Sequence, residues 1–157
     1  MYPSPNRLPE NLRARIAEAL AGPLQDGLDL HGQVKVAHWN VKGPHFAALH
    51  ALFETIATGL AEHNDAVAER AVTLGGRALG TARHVARTSR IPEYPQETSR
   101  DLEHVKLVAE RIDAYLEGVR AARRAAQESG DDDTVDLLTG IVTDLEKHGW
   151  FLKASLA

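Results

Sequence analysis

The chain contains no cysteine, so disulfide bridges and thiolate metal sites are both excluded. It has a single methionine and few aromatic side chains, 5% of its residues. No apolar run approaches the roughly 20 residues that a membrane-spanning helix needs, so no membrane partner is expected. The first residues, MYPSPNRLPENLR, lack a basic stretch followed by an apolar one, and a cytoplasmic location is expected. No lysine precedes Lys35 and the formal net charge is −4, which argues against a generally basic nucleic-acid binder. There is no His-Glu-x-x-His pattern to suggest a zinc protease, no glycine-rich phosphate loop and no sustained heptad. Glu-x-x-His is missing as well. Bundles that build a di-iron site inside one subunit use that pair, so such an intrasubunit site is poorly supplied here.

What is present is an ordinary globular composition, 43% apolar and 25% charged over 157 residues. That size suits one domain spanning residues 1–157, with residues 1–8 as an extended tail. Apolar residues recur at helical spacing, which predicts an all-α fold. A short helix is expected from Pro9 to about Ala21, broken or kinked at Gly22-Pro23, and a second from Pro23 to Val41. Trp39 on this second helix is read as core. A long helix follows from about His45 to Leu74, stopped by Gly75-Gly76. Residues 77–97 are irregular, with a short helix within Thr81–Thr88 and with Arg77, Arg83, Arg87 and Arg90 facing solvent. The next helix, capped by Thr98 or Ser99, runs to about Ser129 with Leu102, Val105, Val108, Ile112 and Tyr115 on its core side. The last starts at Asp131-Asp132-Asp133 and reaches about Lys153. A connection as long as 77–97 suits the crossover of a four-helix bundle.

The long helix carries a stripe of chemistry. At 100° per residue, with His50 at zero, Glu54 falls at about 40°, Asp65 at about 60° and Glu69 at about 100°. Glu54 and Asp65 are about 16 Å apart along the axis, too far for one ion within one chain. The numbering is self-complementary, however. Two copies packed antiparallel about a point near residues 59 and 60 bring His50 to the partner copy's position 69, and Glu54 to its position 65. One two-fold contact then creates two equivalent metal sites between subunits. Small residues at the crossing, Ala57, Gly59 and Ala61, permit close approach.

Several motifs lie in register along this region: His38-Trp39-Asn40, Gly43-Pro44-His45-Phe46, His50 with Glu54, Asp65 with Glu69-Arg70, and Gly75-Gly76. Together with DDDTVDLLTGIVTDLEKHGWFL near the C-terminus, they resemble the signature of the Dps family, the small ferritin-like proteins. The resemblance covers the chain from about Pro23 onward. It implies a ferritin-like four-helix bundle with a long crossover between helices 2 and 3. It also implies a ferroxidase site between two-fold-related subunits, with His38, His50, Glu54, Asp65 and Glu69 as the catalytic metal ligands. Glu54 departs from the family pattern, which often has Asp there; the extra methylene alters the reach of the carboxylate.

On the same footing, the resemblance implies oxidation of Fe(II), with hydrogen peroxide preferred over dioxygen, and storage of ferric oxide in a hollow dodecamer. Carboxylates and imidazoles suit ferrous iron. Acids near the last helix line iron-admitting pores in this family; by position Asp133 and Asp136 come first, then Asp144 and Glu146, with helix capping as the alternative role for the Asp run. Lys35 shares the face of His38 as a local charge, and a scavenging role for oxidising equivalents is the alternative for Trp39. His31, His45, His63, His84, His104 and His148 are left without a metal role. Weak or absent DNA binding is expected, because DNA-binding members often use a Lys-rich tail. Two other functions stay open: a nucleoid protein that coats DNA, and a metal-sequestering cage without turnover.

Overall fold

The computed structural model describes all 157 residues as five helices: α1 (Glu10–Asn40), α2 (Phe46–Thr73), α3 (Ala82–Thr88), α4 (Asp101–Glu128) and α5 (Asp132–Ala154). There are no strands; one isolated bridge joins Lys42 to Arg100. The four long helices form the bundle, with α1 packed along α2 and α4, and α4 along α5. The bridge fixes the topology. Lys42 N–H donates to the Ser99 carbonyl and Asp101 N–H donates to the Lys42 carbonyl, both at 3.0 Å. The starts of α2 and α4 therefore lie at the same end, and the segment carrying α3 must cross the length of the bundle.

The expected break at Gly22-Pro23 does not occur: α1 is continuous, with Pro23 inside it and buried. Proline removes one N–H and crowds the residue before it. Gly22 has no Cβ, which removes half of that crowding. Ile16, Leu20, Leu24 and Leu30 then continue one buried stripe across the proline. Burial of that stripe, at about 25 cal/mol per Å², outweighs one lost hydrogen bond. Neither Thr98 nor Ser99 caps α4. The N-cap is Arg100, and the Asp101 carboxylate takes up the Leu102 N–H instead. Leu102 is 39% exposed, outside the core in which Phe53, Ile112, Tyr115, Leu138 and Leu145 are fully buried. Trp39 is also not core, at 67% exposed.

Residues before α1 lie along the far end of α2, where Tyr2 N–H donates to the Gly75 carbonyl and Ser4 Oγ donates to that of Thr73. Arg90 is exposed, yet its guanidinium donates to the buried carboxylate of Asp26, tying the crossover to α1. No helix is long and apolar enough to cross a membrane.

Candidate metal centre

α1 ends at Asn40, so the carbonyls of its last turn lack helical N–H partners. The turn of α2 that follows Phe46 supplies one. His50 Nδ1–H donates to the His38 carbonyl at 2.9 Å, and His38 Nδ1–H donates to the His50 carbonyl at 2.8 Å. A carbonyl oxygen can only accept, so each imidazole carries a proton on Nδ1. Nε2 is then the nitrogen through which each ring can bind a metal ion. The two rings stack with centroids 3.8 Å apart, and Phe46 lies 5.2 Å from His50.

Glu54 completes this group. Its Oε2 lies 3.3 Å from His38 Nε2, so this ring nitrogen and the carboxylate face each other. Bonds of about 2.0–2.2 Å from imidazole and carboxylate to a first-row metal place neighbouring ligand atoms about 3 Å apart, which fits this spacing. Lys35, from the preceding turn of α1, holds the same Oε2 in an ion pair. The Lys35 hydrogen bond draws the Glu54 carboxyl below its usual range; burial opposes the shift only in part.

The turn between α1 and α2 is held by α4. Asp101 Oδ2 accepts from both the N–H and Nδ1–H of His45, at 3.0 and 2.9 Å. The His45 N–H bond is the main reason that the Asp101 carboxyl lies below its ordinary value. Gly43 sits at φ +142°, and a Cβ there would stand 2.5 Å from Asp101 Oδ2. Only glycine fits this turn comfortably.

Asp65 and Glu69 stand apart from this group. Both are exposed, further along α2. Asp65 lines a separate pocket of about 330 Å³ with His31, Asn64 and Leu28. No three His, Asp or Glu side chains of one chain gather around a common point. The chain thus sets His38, His50 and Glu54 side by side without closing them around one point, and leaves Asp65 and Glu69 further along α2.

Residues 17–157 match the family profile of the ferritin-like domain. A DNA protection during starvation protein of Agrobacterium fabrum is 38% identical over 95% of this chain and 92% of its own length. The chain belongs to the Dps branch of the ferritin-like family. The fold agrees: DpsC from Streptomyces coelicolor superposes with a TM-score of 0.93 at 33% identity, over 99% of this chain and 91% of its own. A Dps protein from Vibrio cholerae O1, described as a member of a broad superfamily of ferritin-like diiron-carboxylate proteins, gives 0.91 at 26% identity, over 100% and 99%.

Within this Dps-type chain, other polar residues find partners that helical spacing did not predict. His63, off the ligand stripe, lies 2.8 Å from Asp144 on α5. His104 is fully buried, 2.5 Å from the Tyr94 hydroxyl, and burial lowers its pKa. Asp131 is the true cap of α5, accepting from Thr134 N–H and from Arg70. Asp133 and Asp136 are exposed. Glu146 is engaged by Arg120 at 2.7 Å. The signal that could have found His63–Asp144 is a pairing between two helices distant in sequence, which no single-helix wheel contains.

Proposed function

We propose that this protein is an iron-storing ferroxidase whose metal sites form only between two-fold-related copies. The observation that carries the reading is the His38–His50 pair. Reciprocal bonds to each other's backbone hold both rings by Nδ1 and leave Nε2 of each to bind a metal ion beside Glu54, while no three such side chains of one chain close around a common point. Asp65 and Glu69 supply the missing acids from the partner copy. Iron is the substrate. Each Fe(II) gives up one electron; a peroxide molecule takes two, its O–O bond breaks and it leaves as two hydroxides. Ferric product is stored as oxide in a hollow dodecamer, reached through pores lined by Asp133 and Asp136. Consuming peroxide and free Fe(II) together in the cytoplasm limits hydroxyl-radical formation and so protects DNA. The relatives' names, with "DNA protection" and "diiron-carboxylate" among them, support this reading.

Direct DNA coating is not part of it. Twelve chains at −4 each carry about −48, and phosphate contacts need local positive charge. Tight binding in a gel shift at moderate salt would overturn that exclusion. One second reading is a metal-sequestering cage without turnover, since a Glu54 carboxylate drawn aside by Lys35 can still bind metal yet handle the oxidant poorly.

The test is anaerobic. Loading with Fe(II) and adding hydrogen peroxide should give rapid ferric absorbance and peroxide loss, with dioxygen slower. In Asp65→Ala/Glu69→Ala the oxidation should fall by about a hundredfold or more, since losing even the residues that support metal ligands costs about 10–100-fold. Equal slow oxidation in both proteins would refute the split centre and bring the cage forward.

A further inference from the structure

A second cluster of ligand-type side chains lies outside the proposed centre, on the flank of α2 that meets α5. His63 projects from α2, and Asp144 and His148 from α5, one helical turn apart. They line a groove of about 670 Å³ together with Glu54, Glu62, Thr55, Thr58 and Gly59. His63 Nε2 lies 2.8 Å from Asp144 Oδ2, and His148 Nε2 lies 3.8 Å from Asp144 Oδ1. One carboxylate is thus bracketed by two imidazoles.

His148 is the unexplained member. Its residue is 9% exposed, and its Nδ1 is buried without a hydrogen-bond partner. Its Nε2, facing Asp144, is beyond hydrogen-bond reach at 3.8 Å. The buried Nδ1 is thus a polar atom whose hydrogen-bonding capacity is unused in the single chain. Burial lowers its pKa, with Asp144 opposing, which keeps the ring neutral at physiological pH with a lone pair available. Gly59 leaves the space beside Asp144 open: an added Cβ would stand 3.6 Å from Oδ2.

We propose that His63, Asp144 and His148 form a second cation site for a first-row divalent metal such as Fe(II), Co(II) or Zn(II), within the same groove as Glu54. Two imidazoles and a carboxylate match that class, whereas Ca(II) and Mg(II) prefer all-oxygen shells. Ligand atoms on a tetrahedral or octahedral ion with bonds of about 2.0–2.2 Å stand about 3.0–3.5 Å apart. The two observed spacings bracket that range. The trio does not already stand around one point, so the ion must draw it closed. The adjustment is a rotation of Asp144, whose side chain is 38% exposed. The site holds a divalent ion in the groove that leads to Glu54, and its existence does not depend on the ferroxidase reading.

Co(II) under anaerobic conditions is the probe, because it binds such ligands without being oxidised by the protein. Equilibrium dialysis and d–d absorption should show Co(II) retained by Asp65→Ala/Glu69→Ala. That retained fraction should weaken by at least about tenfold when Asp144→Asn or His63→Gln is added. Anomalous scattering from Co(II)-soaked crystals of the unsubstituted protein should place an ion within bonding distance of His63 Nε2. Unchanged Co(II) binding in the added variants, no retained Co(II), or no anomalous peak at His63 would each overturn the proposal. Loss of peroxide-driven oxidation in the Asp65/Glu69 variant is read separately, so the two proposals fail independently.

Discussion

At the scale of single residues, two cations set the charge balance around key carboxylates. Lys35 pairs with Glu54 where a metal ion is proposed to bind. Glu54 is already ionised at neutral pH, so removing Lys35 leaves its charge unchanged and removes a competitor. Lys35→Met should therefore tighten Co(II) or Fe(II) binding by a few-fold, the modest effect expected of an exposed, solvent-screened charge contact. Isothermal titration at pH about 7 would show it; weaker binding would mean that Lys35 positions Glu54 rather than competing for it. Arg70 and Thr134 act on Asp131, which is 4% exposed. Burial alone would push that carboxyl up, but the hydrogen bonds from Thr134 and Arg70 together outweigh it and the pKa lies below normal. A carboxyl depressed in the folded state stabilises above its unfolded pKa, about 3.9, and that contribution fades as pH falls through the folded value. Asp131→Ala should cost about 1–3 kcal/mol at neutral pH, and the difference from the unsubstituted chain should shrink below about pH 4. Thermal unfolding across that pH range is the check.

At the scale of helices, the spacing of α1 from α2 decides whether His38 and His50 can reach each other's carbonyls. Gly27 sets that spacing. A Cβ on it would stand 2.1 Å from Asn64 Oδ1 and 3.3 Å from the Tyr115 ring. Gly27→Ala must push the helices apart or displace Asn64, and should cost about 1–3 kcal/mol. Its metal affinity should fall although Gly27 touches no ligand; unaltered stability and affinity would show that the interface yields freely. Helix positions were legible in the sequence because apolar periodicity and the stops at Gly43, Gly75 and Gly130 are local signals. All three glycines have positive φ. The Gly22-Pro23 break was misjudged for the converse reason: local propensity argues for a stop, and only the buried stripe shared by Ile16, Leu20 and Leu24 keeps α1 whole.

At the scale of the assembly, a split centre predicts complementation. His38→Ala/His50→Ala and Asp65→Ala/Glu69→Ala should each be inactive alone. Refolded together in equal amounts, half of the dimers pair unlike chains. Each such dimer holds one intact site and one doubly damaged site, so about a quarter of full activity should return. No recovery in verified mixed assemblies would mean that the four residues do not meet across a two-fold axis. This outcome separates a shared site from a defect of folding, because both parents are present in the active sample.

The sequence alone determined the helical class, the three long helices after α1 with their crossover, and the stripe of candidate ligands on α2. These follow from periodicity and turn residues within a few turns of chain. It also contained the sum rule linking positions 50 with 69 and 54 with 65, since helix geometry converts numbering directly into position. The tertiary structure decided what depends on contacts between distant segments. The meeting of α1 and α2 fixed the tautomers of His38 and His50 and placed Lys35 on Glu54. The approach of α5 to α2 gave His63 a partner eighty-one residues away. Hydrogen bonds and ion pairs of this kind act over about 3 Å, and which atoms come that close is settled only when whole helices pack.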